Sequence, residues 1–449
     1  MFLLWMKGLL RKDSFLFCIG SLEGFPHKTA TLNILPSKST LVRKMLHHVK
    51  LIHATKSRKL VGKKIVLAIP GSIAAVECVK LARELIRHGA EVYAVMSESA
   101  QKIIHPYAME FATGNPVVTE ITGFVEHVEL VGEHENKADL VLVCPATANT
   151  ISKIACGIDD TPVTTVVTTA FAHTPIMIAP AMHSTMYEHP IVKENIEKLK
   201  KLGVEFIDPR FEEGKVKVAS VEEIVYRVIK KLHKKDLSGK RVLVTAGATK
   251  EYIDPIRFIT NKSSGRMGVA IAEEAEFRGA EVILIKTNGS VSSFVEKQVE
   301  VETVEEMLEA IEGELSSKKY DIVILTAAVS DFTPREKVNK KIKSGQTLTL
   351  ELVPTPKIIR RVKELQPDVF LVGFKAEYEV SEEELIEQAR KQIEEAKSDV
   401  AIANRGEVAF GSEVNEVYWV ARDSYEKFPL MSKRELAEKI WDKIVDMLG

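Results

Sequence analysis

One pattern constrains this chain more than any other: a short apolar run, a turn of small residues, an amphipathic stripe and a second apolar run, and the phrase is written twice. Lys64-Ile65-Val66-Leu67-Ala68-Ile69 leads into Pro70-Gly71-Ser72. A helical stripe follows, with Ala75, Val79, Ala82 and Ile86 on one face, closed by His88-Gly89. Glu91-Val92-Tyr93-Ala94-Val95-Met96 is the next strand. This is a βαβ unit, whose strands run parallel and are buried on both faces. Later, Leu60-Val61-Gly62-Lys63-Lys64 is echoed by Leu237-Ser238-Gly239-Lys240-Arg241. His88-Gly89-Ala90-Glu91-Val92 is echoed by Arg278-Gly279-Ala280-Glu281-Val282, and Ala138-Asp139-Leu140 by Tyr320-Asp321-Ile322. Two copies of one plan predict an α/β protein of two doubly wound, Rossmann-like parallel-sheet domains. The lysine-rich stretch 230–235 reads as a helix end plus linker, so the domains are expected at 60–235 and 236–449, autonomous of each other. In such sheets ligands bind outside the C-terminal strand ends, so the loops after strands are the place to look.

Composition narrows the class. Lys plus Arg is 62 against 63 for Asp plus Glu, which gives no global reason to expect nucleic acid or an anionic membrane as partner. The four cysteines, Cys18, Cys78, Cys144 and Cys156, make no C-x-x-C pair, which argues against zinc and redox-disulfide readings and fits a reducing cytoplasm. Residues 1–59 show no sustained periodicity. They are expected to be a disordered or targeting extension, or to follow from a start assigned too early, with Met45 as the alternative start. No segment is long and apolar enough to span a membrane.

In the first half four loops stand out: Gly71-Ser72-Ile73-Ala74-Ala75, Ser97-Glu98-Ser99-Ala100, Pro145-Ala146-Thr147-Ala148-Asn149-Thr150 and Pro180-Ala181-Met182-His183-Ser184-Thr185-Met186-Tyr187. Small residues and hydroxyls at such turns let backbone N–H groups approach a phosphate. No G-x-G-x-x-G follows either first strand, which disfavours an NAD(P)-dependent dehydrogenase and leaves a mononucleotide. Taken in order, these loops resemble the flavin-dependent cysteine decarboxylases, above all phosphopantothenoylcysteine decarboxylase. The resemblance implies FMN held by Gly71, Ser72, Ile73, Ala74, Ser97, Pro145, Ala146, Thr147, Ala148 and Asn149. The chemistry needs it: loss of CO₂ from a cysteine carboxylate leaves a carbanion with no sink. A flavin that first oxidises the carbon bearing sulfur creates a C=S group that accepts the electrons. Glu126-His127-Val128-Glu129-Leu130 is similar to the family segment with the active-site histidine, which implies a catalytic His127; taken alone, it is one of 12 histidines. The bacterial pattern has Asn where this chain has His183, and a proton-donating flap cysteine where residues 209–219 have none. His183 is therefore a second catalytic candidate, with Lys215 and Lys217 behind it. Relatives of this fold that bind flavin without turnover are the alternative for this half.

In the second half, Thr245-Ala246-Gly247 follows the first strand. Ile259-Thr260-Asn261-Lys262-Ser263-Ser264-Gly265-Arg266-Met267-Gly268 then opens a helix, with Ser263 or Ser264 expected as its N-cap. Leu325-Thr326-Ala327-Ala328-Val329-Ser330-Asp331-Phe332, the basic cluster of Lys340, Lys341 and Lys343, Val372-Gly373-Phe374 and Ile402-Ala403-Asn404 complete the set. Together these resemble phosphopantothenate–cysteine ligase. The resemblance implies a route from phosphopantothenate and cysteine through an acyl-cytidylate, with CTP and Mg²⁺ consumed as CMP and pyrophosphate. It implies Asn261 beside the acyl group, Lys341 beside the reacting phosphates, and nucleotide contacts from Leu325, Thr326, Ala327, Asp331, Lys341, Pro356, Lys357, Ile358, Ile359, Phe374 and Lys391. No metal ligands are legible. A homo-oligomer with trimeric decarboxylase and dimeric ligase contacts is implied as well.

Overall fold

The computed structural model describes residues 9–11, 14–16, 47–212, 214–345 and 347–449. The proposed early start and most of the expected extension lie outside the described residues. Two short strands, Leu9–Arg11 and Ser14–Leu16, pair antiparallel. The ordered fold nevertheless reaches further back than the expected boundary at residue 60. Helix His47–Ile52 leads into it, Val49 and Ile52 pack on the first core, and Leu60 is wholly buried there.

The first sheet holds β1 (Lys64–Ile69), β2 (Glu91–Met96), β3 (Leu140–Ala146), β4 (Ile176–Pro180) and β5 (Glu205–Phe206). Its order is β2-β1-β3-β4-β5, parallel throughout. The second sheet holds β6 (Arg241–Ala246), β7 (Glu281–Thr287), β8 (Lys297–Val301), β9 (Ile322–Leu325), β10 (Phe370–Glu377) and β11 (Val400–Arg405). β12 (Val414–Val420) and β13 (Tyr425–Ser432) complete it, in the order β8-β7-β6-β9-β10-β11-β12-β13. β12 and β13 run antiparallel, a departure from the parallel expectation, because the short link between them cannot make a crossover. The central strands of both sheets are buried on two faces, as their unbroken apolar runs require, while the edge strands β8 and β13 stay largely exposed.

The sequence echo has a structural cause. Asp139 accepts the backbone N–H of Lys64 at 2.8 Å, and Asp321 accepts that of Arg241 at 2.8 Å. In each half the carboxylate just before the first residue of a neighbouring strand, β3 or β9, thus locks the register of the half's first strand. Gly89, at φ +101°, closes against Val61: an added Cβ would lie 2.9 Å from the Val61 amide nitrogen, so only glycine fits.

Residues 49–449 form one unit, and the halves meet in an interior rather than across a free linker. Phe277, from the second half, is buried in the first core. Tyr226 packs its ring 4.7 Å from that of Phe277 and 5.5 Å from Phe294, and its hydroxyl donates to Glu276. Arg278 is 1% exposed and donates to Glu274 at 2.9 Å, Asp442 at 2.7 Å, the Glu438 carbonyl at 3.0 Å and Asp236 at 3.4 Å. Lys59, read as the end of a loose extension, is buried between Glu274 and Glu438.

Two histidines sit in this junction. Burial holds His88 down at about 4, helped by Arg434, Lys56 and Lys59 and opposed by Glu84. Burial likewise holds His233 at about 4, helped by Lys59, Arg278 and Lys234 and opposed by Glu274. Unfolded, each takes a proton near 6.5; folded, only near 4. The unfolded chain therefore binds more protons between these values, and stability falls as pH drops through them. The melting temperature is expected to decline between about pH 6.5 and about 4, and His88→Gln with His233→Gln to flatten that decline; scanning calorimetry across the window checks both.

Candidate functional site

In the first half the predicted loops all follow C-terminal strand ends. Gly71 lies against the next loop, since an added Cβ would sit 2.4 Å from the Ser99 Cβ. Ser72 is extended and opens the 3-10 turn Ile73–Glu77 without any side-chain cap, so the turn's first amides face outward unpaired by a hydroxyl. Ser97 and Thr147 differ. The buried Ser97 hydroxyl accepts the Ala100 N–H at 3.2 Å, and Thr147 caps helix Ala148–Cys156 through the Thr150 N–H. Their side chains hold the loops rather than stand open. Pro145 and Ala146 complete β3, and the Ala146 carbonyl accepts the Ala181 N–H at 2.8 Å, tying the fourth loop to the third. Asn149 is exposed at the start of its helix.

His127 lies on helix Glu126–Val131, entered through Val125 at φ 49°. A β-branched residue in the left-handed region stores strain, which concentrates at working sites. Glu126 accepts the Thr122 hydroxyl and backbone N–H, and these bonds hold its carboxyl below the usual range. The inner nitrogen of His127, Nδ1, is buried with no hydrogen-bond partner. His183 is exposed on strand Met182–His183, with Nδ1 3.1 Å from the Thr185 hydroxyl. Residues 209–219 are a hairpin, Arg210–Glu212 with Lys215–Lys217, whose second strand pairs with Met182–His183.

In the second half a cavity of about 660 Å³ opens over the C-terminal ends of β6, β9, β10 and β11. Asn261, Leu325, Thr326, Ala327, Asp331, Pro356, Lys357, Ile358, Ile359, Phe374 and Lys391 all line it. Asn261 donates to the carbonyls of Ala328 and Val329, each at 3.3 Å. Lys357 is ion-paired with Asp331. Gly268 lets its helix lie on β6, because a Cβ there would meet the Thr245 carbonyl at 2.7 Å.

One expectation needs correction. Helix Arg266–Phe277 is not capped by Ser263 or Ser264: Gly265, at φ +74°, is the N-cap and no side chain caps it. Lys341 is not among the residues lining the cavity; it stands exposed on the loop between Asp331 and Thr355. Its neighbour Ile342 donates its N–H to Asp254 at 3.2 Å and accepts from Arg257 at 3.1 Å. Burial would raise the Asp254 carboxyl, but the N–H groups of Ile256, Arg257 and Ile342, with the Arg257 guanidinium, bring it down to about 2.

Four further residues line the cavity: Arg266 and Asn404, which stood in the quoted motifs without a role of their own, and Asn415 and Lys433, which the sequence reading missed. Asn415 is 2% exposed and its Oδ1 has no partner. Lys433 is buried, which lowers its pKa, and donates to the Ala409 carbonyl at 2.9 Å. The rule of C-terminal strand ends picks out Asn404, but Asn415 and Lys433 come from the antiparallel edge and the helix after it. Among the described residues no group of three or more His, Cys, Asp or Glu could hold a metal ion, and no helix is long and apolar enough to cross a membrane.

Comparison with known proteins matches the two halves to two families. The flavoprotein family matches residues 53–233, and the DNA/pantothenate metabolism flavoprotein C-terminal domain matches residues 237–448. The coenzyme A biosynthesis bifunctional protein CoaBC of Thermococcus kodakarensis is 82% identical over 404 residues, 90% of this chain and 100% of that protein. That of Methanocaldococcus jannaschii is 42% identical over 90% of this chain and 98% of its own length. Among solved structures, the C-terminal domain of a CoaBC protein aligns at 35% identity and TM-score 0.41, covering 48% of this chain and 98% of that one. The peptidyl-cysteine decarboxylase EpiD aligns at 27% identity and TM-score 0.34, covering 37% and 98%.

The Asp254 anchor makes a prediction for the loop that carries Lys341. Asp254→Asn removes the charge that holds Arg257 and weakens the bond to Ile342. Backbone amides near residue 342 are expected to exchange with solvent about tenfold faster or more, as loss of a charge-assisted bond implies; hydrogen-exchange mass spectrometry measures this.

Proposed function

The chain belongs to the family of coenzyme A biosynthesis bifunctional proteins, and from that premise we propose how its halves divide the work. It is an enzyme with two activities, an acid–amino-acid ligase and a flavoprotein decarboxylase. Residues 236–449 join phosphopantothenate to cysteine through an acyl-cytidylate, using CTP and Mg²⁺. Residues 60–235 then decarboxylate the product, phosphopantothenoylcysteine, to phosphopantetheine.

The observation that carries the ligase reading is the cavity at the strand ends. Its lining combines cationic, polar and apolar side chains. The uncapped N-terminus of helix Arg266–Phe277, with Arg266 and Lys433, offers positive charge to a triphosphate. Phe374, Ile359 and Lys391 offer apolar surface and a cation to the base and ribose. Asn261, braced on the loop after β9, meets the acyl carbon that the nucleotide activates and the cysteine nitrogen attacks. Lys341 reaches the reacting phosphates when its loop, rooted in the cavity wall at Asp331 and Thr355, folds over the nucleotide. Mg²⁺ would arrive bound to the triphosphate, as it does where substrate phosphates supply most of its ligands.

The first half fits FMN. Its uncapped turn at Ser72 leaves amides for a single phosphate, and small residues at Gly71, Ala74, Ala146 and Ala148 let a planar ring approach the strand ends. Bound there, flavin supplies the two-electron oxidation that gives the departing carboxylate's electrons a sink. His127, with its inner nitrogen unpaired, holds or takes the thiol proton. The family resemblance implies homo-oligomeric contacts, trimeric in this half and dimeric in the other; exposed Ile73, Tyr107 and Phe124 here, and Ile256, Phe332 and Leu348 there, are side chains that such contacts would cover. A cytoplasmic setting fits the free Cys78, Cys144 and Cys156.

The protein with phosphopantothenate, cysteine, CTP and Mg²⁺ is expected to release CMP, pyrophosphate and CO₂. His127→Asn should cut CO₂ release about 10²–10⁴-fold, the range for a lost acid–base group, while CMP still forms. Lys341→Ala should cut CMP formation and spare decarboxylation of supplied phosphopantothenoylcysteine. Loss of both products in either folded variant would refute the two-site reading.

A further inference from the structure

The hairpin beside the first sheet carries a charge pattern that the two activities leave unused. Its strands pair in the order Met182–His183, Lys215–Lys217, Arg210–Glu212. The register sets Lys215 opposite His183 on one side and opposite Glu212 on the other. Val216, opposite Met182, is 2% exposed and faces inward. Alternation therefore puts His183 and Lys215 together on the outer face, where both are exposed. Directly opposed residues in such a pair stand about 4.5–5.5 Å apart at Cβ.

Neither side chain is committed. Glu212 shares the face but spends its carboxylate on Lys217 at 2.9 Å and Arg210 at 3.3 Å. Among the described residues Lys215 has no ion pair and no side-chain hydrogen bond, and His183 bonds only through Nδ1, leaving Nε2 open. The pair is also fixed in place. The Ala181 N–H donates to Ala146, so a single residue separates His183 from the bonded edge of the flavin loop. The Ser184 hydroxyl donates to the Gly214 carbonyl at 2.5 Å, which pins the hairpin turn to the same segment. Two neighbouring donors without an acceptor between them make a place for an anion.

We propose that Lys215 and His183 together grip the carboxylate that the first half removes, and that His183 returns a proton to the carbon that carried it. This rests on the decarboxylase reading given above. The geometry of the reaction supports the double role. When the C–C bond to the carboxylate breaks, CO₂ leaves and the electron pair moves into the adjacent C=S, giving an enethiolate. The group that held the carboxylate now faces the carbon that lost it. A proton from the imidazolium forms the new C–H bond and restores C=S; the two electrons withdrawn earlier then return to the carbon bearing sulfur together with a second proton, as a hydride equivalent, and the thiolate so formed takes a third proton from solvent to give the thiol. An imidazolium gives up a proton near neutral pH, whereas an ammonium group titrates near 10.4. His183 is thus the donor, and Lys215 is a positioning residue that fixes the carboxylate.

The test uses the full-length protein loaded with FMN, with flavin absorbance checked in every variant. Calorimetric titration is done with phosphopantothenoylserine, which keeps the carboxylate but has no sulfur to oxidise, and with phosphopantetheine, which has lost the carboxylate. Lys215→Met should weaken the serine analogue about tenfold or more, as loss of one charge-assisted contact implies, and leave phosphopantetheine unchanged; Lys215→Arg should restore binding. Equal weakening of both ligands would mean that Lys215 holds the phosphate instead, and no weakening of either would mean it holds nothing; each overturns the grip. His183→Asn should release CO₂ but accumulate the enethiol, seen by mass spectrometry. Normal aminothiol from that variant overturns the proton return. If the unaltered protein releases no CO₂ from phosphopantothenoylcysteine, the decarboxylase reading itself falls, and this inference with it.

Discussion

The architecture hangs on one buried guanidinium. Arg278 is almost sealed from solvent and spends its donors on Glu274, Asp236, Asp442 and the Glu438 carbonyl. A charge so buried is tolerable only while its partners stay, and removal of one partner from such a pair costs about 3–5 kcal/mol. Glu274 also receives Lys59, so the same carboxylate ties the entry strand of the first half to the helix Arg266–Phe277 of the second. That helix begins at the cavity and ends inside the first core, where Phe277 packs on Tyr226. Two elements that the echo would allow to move apart are thus held by a charge that neither can leave exposed to a dry interior.

The same supersecondary plan ends in different chemistry because the sheets finish differently. The first sheet stops at the short β5, and the hairpin of residues 210–217 docks on the segment after β4 instead of extending the sheet. The second continues across β11 into an antiparallel edge, β12 and β13. That edge closes the cavity and delivers Asn415, while the helix after it delivers Lys433. The shared Asp139 and Asp321 register locks sit at the opposite, N-terminal ends of the strands. They serve stability alone, which is why they can repeat while the loops at the other end diverge.

This division also explains what could be read before the structure. Strands β1 and β2 match the apolar runs residue for residue, because burial on both faces leaves no polar gap inside them. The second-half residues named from the family resemblance fall together around the cavity, apart from Lys341, because strand-end loops of a parallel sheet gather along one edge. The junction was not legible. Lys59, Glu274 and Arg278 look like solvated surface in sequence, and only their mutual pairing makes burial possible. The stretch 230–235 read as a linker for the same reason, yet Lys234 pairs with Asp442 and His233 faces Glu274. Lys341 was placed by motif, but its position depends on a loop whose anchor, Asp254, lies far away in sequence.

Helix starts draw the last distinction. Across the described residues most helices open on a side chain that accepts an N–H: Ser97, His105, Thr147, Thr161, His189, Ser220, Thr303, Ser381 and Ser432. The starts at Ser72, Glu77, Val125, His183, Gly265, Lys357 and Arg405 have no such bond. Glu77 continues the turn that Ser72 opens, and the others lie in, or directly beside, a candidate loop or the cavity. Leaving first-turn amides without a cap costs about 0.5–2 kcal/mol per helix relative to a capped one. The candidate loops use both devices: Ser97 and Thr147 cap their own helices and so fix the loops, whereas the starts at Ser72 and Gly265 leave N–H groups for which an incoming phosphate or carboxylate can supply the acceptor. Stability and function therefore compete for the same N–H groups, and within one site some starts are given to each.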